Sequence, residues 1–162
     1  MSTRREAREW AVQMLFQIDL NPDEERELKT FFQEFWDGQI RLRNPDIPEK
    51  QPPPHIRAFS ENIVNGVMSH WEEIDNRISS CATNWDISRI GNVERNVLRM
   101  GIYEIFFAKQ KAPHPVIINE AVDICKFFGT RESGRFVNGI LDKLAKDYNA
   151  ELNKPQEWSP SR

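Results

Sequence analysis

Arg4, Arg5 and Arg8 fall within the first two turns of a helix that can form at the start of the chain. Four more cations, Lys126, Arg131, Arg135 and Lys143, surround the segment FGTRESGRF towards its other end. Positive charge at a helix N-terminus opposes the macrodipole, so local stability does not favour the first group, whereas an anionic ligand would. Ordinary surface pairing with Glu6 and Glu9 reads those arginines equally well. Phe136 belongs to the second group. An exposed ring flanked by guanidinium groups offers a base a stacking surface and a phosphate its counter-charge, although plain core packing is the better reading of Phe136 from sequence alone. Gly134 and Gly139 thin the side chains nearby and leave room for close backbone approach.

Other chemistry is poorly served. The sequence carries no GxxxxGK[ST] loop, no GxGxxG and no GxSxG elbow. His55, His70 and His114 lack the spacing of metal ligands, and no metal or other cofactor is expected. Glu72, Glu73 and Asp75 could supply an acid/base pair only if two of them faced one cavity, and neighbouring helix positions point apart. Cys81 and Cys125 are expected as small core or boundary residues in a reducing compartment. With net charge −3 and a pI of 5.7, bulk charge argues against nucleic acid, so any such surface must be local. No apolar run approaches a membrane span, and the charged start MSTRREAREW lacks a signal peptide's apolar core, so a cytoplasmic location is expected.

Helices must carry these groups. Residues 4–18 set Ala7, Ala11, Met14, Leu15 and Ile18 at helical spacing behind Ser2 or Thr3 as N-cap. Residues 23–36 repeat the pattern with Leu28, Phe31, Phe32 and Phe35 behind an acidic start. Prolines at 45, 48, 52, 53 and 54 predict a loop over about 37–55. Residues 56–78 then carry a stripe that predicts the longest, central helix, followed by a short break in which Asn84 or Asp86 caps a one-turn helix. Residues 92–108 have two apolar faces and predict a helix buried on both sides. A helix from Pro115 to Phe128, with Val116, Glu120, Ala121, Ile124, Cys125 and Phe128 inward, and another over 132–148 complete the set. Nothing reads as a strand. The class is all-α, one domain over 1–149 with a disordered tail over 150–162.

The segment VIINEAVDICKFFGTRESGRFVNGILDKLAKD resembles the C-terminal signature of NusB proteins, an INEAVE-type helix, a Lys-Phe-Gly turn and an FVNGVLDK helix in succession. NVERNVLRMGIYEI resembles the family's VERAILRLALYEL helix, and RREAREWAVQMLFQIDL its RRxARELALQALYQ opening. The resemblance implies about seven helices in two sub-bundles. It further implies a non-catalytic antitermination factor that binds boxA RNA of ribosomal RNA leaders with the ribosomal protein NusE and joins the RNA polymerase antitermination complex. A homodimer is among the assemblies it admits. Transferred by position, it puts RNA contacts on Arg4, Arg5, Arg8, Glu132, Arg135 and Phe136, and partner contacts on Glu94, Arg99 and Tyr103. Glu6 stands where many relatives carry arginine and Gly134 where histidine or a similar polar residue is common, which thins the RNA surface. Asn119 and Glu120 of the INEA motif would cap or brace neighbouring helices. A related alternative is a protein-interaction module without RNA binding, akin to the helical domain of ribosomal RNA methyltransferases.

Overall fold

The computed structural model describes residues 3–42, 51–82 and 87–153. Its elements are α1 (Arg4–Leu20), α2 (Leu28–Leu42), α3 (Pro54–Ser69), α4 (Trp71–Cys81), a 3₁₀ turn (Ile87–Arg89), α5 (Asn92–Phe106), α6 (His114–Phe128) and α7 (Arg131–Leu152). No strand occurs among the described residues. Asn84, Asp86 and residues 43–50 of the Pro-rich stretch lie outside them.

The centre of the fold is α5, which packs against α1, α3, α4, α6 and α7. Its double apolar stripe buries ten consecutive residues, from Asn96 to Ile105. On one side α1 pairs with α3, and on the other α6 pairs with α7, so two sub-bundles share α5. The inward face of α1 is the expected one: Ala7, Ala11, Met14, Leu15 and Ile18 are fully buried. Aromatic residues fasten α2 to it, with the Trp10 ring meeting Phe35 and Trp36 edge-on at 5.9 and 5.4 Å. Cys125 is buried in the core, and burial followed by the charge of Glu94 pushes its thiol up to about 12. Cys81 is half-buried.

Several expected boundaries move. The single helix over 56–78 is two, because His70 leaves helical geometry at φ −123° and ψ 22°. Its ring centre lies 4.0 Å from that of Phe107, the planes tilted by 39°, while Nδ1 lies 3.2 Å from the Gly66 carbonyl oxygen. An apolar stripe continues across such a kink, so periodicity does not register it. The longest helix is therefore α7, at 22 residues. Its last turn runs to Leu152, into the tail expected to start at 150, and residues 154–162 lie outside the described set. Residues 23–27, acidic except for Arg26, precede α2 and do not open it; Arg26 folds back there onto the Asn21 carbonyl at 2.8 Å and onto Glu24. At its far end α2 continues through 37–42, and Pro54 serves as the first residue of α3, where its missing N–H costs nothing. Both changes shorten the expected loop. Val116 turns out to be 44% exposed, and the neighbouring Ile117 and Ile118 face inward in its place.

Gly66 permits a close approach of α3 to α5. A methyl group there would stand 1.8 Å from a ring carbon of Tyr103. Alanine ordinarily favours a helix interior over glycine, yet here Gly66→Ala is expected to destabilise by roughly 1–3 kcal/mol through overpacking. A raised thermal midpoint for this variant would contradict that packing.

Candidate nucleic-acid interface

Two helix starts carry the candidate residues, and both are capped by threonine. The Thr3 Oγ1 accepts from the Glu6 N–H at 3.3 Å, and the Thr130 Oγ1 accepts from the Ser133 N–H at 3.1 Å. Each cap satisfies only part of the helix end's orphan donors, and the remainder point outward with the positive end of the dipole.

At the first start the three arginines part company. Arg4 is exposed, with its guanidinium 5.4 Å from the centre of the Phe59 ring. Arg5 is half-buried, hydrogen-bonded through Nε to Glu120 and through Nη2 to Asp123 at 3.0 Å. The hydrogen bond to Glu120, against some desolvation, holds its pKa above the ordinary arginine value. Arg8 is not at the surface. It is 3% exposed and makes a bidentate pair with Glu104, Nε to Oε2 at 2.9 Å and Nη2 to Oε1 at 2.8 Å. The expectation that Arg8 contacts RNA is thereby corrected, because its guanidinium is committed to a carboxylate inside the core. Glu120 braces α6 to α1 as the INEA motif implied, whereas Asn119 is exposed. The carboxyl of Glu9, one turn beyond Arg5, is raised chiefly by burial, with Arg5 opposing and Glu6 and Glu120 adding to it.

At the second start Glu132 and Arg135 are exposed and Phe136 is half-buried. Phe136 lines a hollow of about 300 Å³ with Glu132, Ser133, Arg89, Ile90 and Glu94. Ser133 donates its hydroxyl to Glu94, tying the start of α7 to the first turn of α5. Glu94, expected in a partner surface, thus stands beside the expected RNA residues Glu132 and Phe136.

The other expected partner residues do not join it. Arg99 is 3% exposed and buried between Asp75, at 2.8 and 2.9 Å, and Asp19, at 3.1 Å, with Trp71 3.8 Å from its guanidinium. A docking role for Arg99 is corrected on that ground. Tyr103 sits roughly 14 Å along α5 from Glu94, at 1.5 Å per residue, and is largely buried at the edge of a separate groove of about 740 Å³ with Phe59, Asn62, Gly66 and Phe107.

The outer face of α6 bridges the two helix starts. Arg5 reaches Asp123; one turn later Lys126 lays its stem across Gly134 of α7, where a Cβ would come within 2.9 Å of the lysine Cγ. A cation therefore covers the place that the missing side chain at 134 leaves. Sequence reasoning missed Glu104 and Asp123 as partners of the arginines. The one available signal was Glu104, a lone charge within the apolar run IYEIF. Among the described residues, no three His, Cys, Asp or Glu side chains gather where they could hold a metal, and no helix is long and apolar enough to cross a membrane.

Comparison with known proteins gives a consistent picture. The NusB family model matches residues 5–146. The transcription antitermination protein NusB of Desulfitobacterium hafniense is 38% identical over 152 residues, covering 94% of each chain. Among solved structures, T. maritima NusB superposes with a TM-score of 0.73 at 34% identity, over 91% of this chain and 94% of that one. A crystal structure of antitermination factors NusB and NusE in complex with double-stranded RNA matches with a TM-score of 0.70 at 30% identity, over 90% and 97%.

Proposed function

The chain belongs to the NusB family, and from that premise we propose that it is a transcription antitermination factor, working in the cytoplasm by binding and not by catalysis. It binds boxA-like single-stranded RNA of ribosomal RNA leaders together with the ribosomal protein NusE and enters the RNA polymerase antitermination complex through that pair. The observation that carries this reading is the paired helix starts, Arg4 and Arg5 on one, Arg135 and Phe136 on the other, joined across α6 by Lys126. Arg4 and Arg135 are exposed and free to meet phosphates, while the unfilled donors of both helix ends add a fixed positive potential. Single strands are favoured because only unpaired bases can stack on side chains such as Phe136.

Titration of a boxA-like RNA strand at two salt concentrations, with and without the ribosomal protein, tests the proposal. Binding should weaken with salt and strengthen with the partner; an absence of salt-sensitive binding in both conditions would sink it. Arg135→Ala should weaken binding about tenfold, the size of one charge-assisted hydrogen bond, and lower the salt slope by roughly 0.7. The commitment of Arg5 and Arg8 to carboxylates favours one second reading, a module that binds protein alone. In that case Arg4→Ala with Arg135→Ala leaves binding of the ribosomal protein intact and no RNA affinity exists to lose.

A further inference from the structure

Phe127 is the most exposed large apolar side chain among the described residues, at 74%. Nothing in the packing of the fold calls for it. Its neighbour Phe128 turns inward against the core, and the two rings meet edge-on with centroids 5.0 Å apart and planes at 85°. That contact steadies the Phe127 ring from one side, and its exposure leaves much of the ring surface open to solvent.

Its place on α6 is specific. Glu120, Asp123 and Phe127 follow one another at i, i+3 and i+7 and share one strip of the helix. The first two residues of that strip are those to which Arg5 is bonded. The adjacent strip carries Lys126, whose stem lies over Gly134 next to Arg135. Along α6, Phe127 therefore lies past the carboxylates that hold Arg5, next in sequence to Lys126 and just before the start of α7. Both carboxylates of its own strip are already engaged by Arg5, which moderates their repulsion of an approaching phosphate.

We infer that Phe127 is a base-stacking platform that carries single-stranded RNA from the Arg4–Arg5 end of the surface to the Arg135–Phe136 end. The inference rests on the RNA-binding reading above. A flat ring beside cations suits an unpaired base whose flanking phosphates reach those cations, and stacking of this kind tolerates any base because every base has a π-face. A protein partner is the less suitable occupant. An isolated ring rimmed by charge offers one apolar contact, whereas a protein docking site clusters several at its centre.

The test uses the full chain with the ribosomal protein and a boxA-like RNA strand. Phe127→Ala should leave the thermal midpoint unchanged, since the side chain is exposed, and weaken RNA binding by roughly 5- to 100-fold, the range spanned by losing one stacked base. Phe127→Leu should behave like alanine, and Phe127→Trp should bind at least as well as the parent. Replacing the RNA bases one at a time with abasic sites should reveal one position whose loss weakens the parent but costs Phe127→Ala nothing further. If the parent binds and Phe127→Ala binds within twofold of it, or if no abasic position couples to Phe127, stacking is overturned. Weakened binding of the ribosomal protein to Phe127→Ala in the absence of RNA would assign the ring to the protein interface and equally overturn it. Failure of the parent itself to bind RNA removes the functional reading, and the stacking role falls with it.

Discussion

Replacing Arg8 with alanine is expected to remove about 3–5 kcal/mol of stability, the usual cost of breaking a buried ion pair by deleting one partner. A domain of this size has only some 5–15 kcal/mol in total. The cost arises at Glu104, which is 6% exposed and loses both guanidinium nitrogens, Nε at 2.9 Å and Nη2 at 2.8 Å. Loss of the guanidinium 5.8 Å from the centre of the Phe59 ring adds a lost cation–π contact. Changing both partners together, Arg8→Met with Glu104→Leu, should recover most of the deficit, because a buried pair replaced by apolar groups of similar volume is close to neutral. Urea unfolding at neutral pH measures all three proteins. An Arg8→Ala variant within 1 kcal/mol of the parent would contradict the buried pairing. The result also governs how RNA binding is interpreted: reduced binding by Arg8→Ala reports loss of folded protein, and Arg4→Ala or Arg135→Ala is the proper probe of phosphate contact.

The arginines illustrate what a sequence can and cannot disclose. Arg4, Arg5 and Arg8 look alike in RREAREW, yet one is exposed, one is bonded at the surface and one is buried. Their partners decide this, and the partners are remote: Glu120 lies 115 positions from Arg5, and Glu104 lies 96 from Arg8. No local spacing encodes such pairs. The helices, by contrast, follow from a short-range physical rule, since Ala7, Ala11, Met14, Leu15 and Ile18 must share a face at 3.6 residues per turn. The double stripe of α5 announced a helix covered on both sides for the same reason, and its ten consecutive buried residues bear that out. Where a helix yields to tertiary contact, periodicity is blind. His70 breaks the α3–α4 line where its ring meets Phe107, just past the end of α5, while the apolar stripe on either side runs on undisturbed. Glu94 shows the same limit at the candidate site. The family resemblance put Arg99 and Tyr103 on one partner surface with it, but α5 separates them along its axis and around its circumference, and Ser133 of α7 claims Glu94. The resemblance to a family supplied the function class; the geometry decided which of its transferred residues remain able to touch a ligand.

The second large effect is expected at Asp19, where removing one carboxylate should destabilise the protein at neutral pH and change its response to acid. Asp19, 6% exposed in its side chain, is the shared acceptor at the far end of α1. It takes hydrogen bonds from Arg95 Nε at 2.8 Å and Asn96 Nδ2 at 3.1 Å and pairs with Arg99 at 3.1 Å. Asp19→Ala should cost about 3 kcal/mol, the lower end for a broken buried pair. The reason is that Arg99 keeps Asp75 and Arg95 keeps the Ile90 carbonyl at 2.7 Å. Burial alone would push the Asp19 carboxyl up, but the charge of Arg99 and the hydrogen bonds from Arg95 and Arg99 outweigh it and hold the carboxyl below the ordinary aspartate value. A carboxyl depressed in the folded state contributes stability that is fully present above its unfolded pKa, about 3.9, and that is lost as pH falls through the folded value. The parent should therefore lose this increment on acidification below about pH 4, whereas Asp19→Ala has none of it to lose. Urea midpoints measured from pH 7 down to about pH 3 should show the difference between parent and variant narrowing only at the acid end. A difference that stays constant or widens there would mean that the Arg95–Asp19–Arg99 cluster does not hold the carboxylate as its geometry requires.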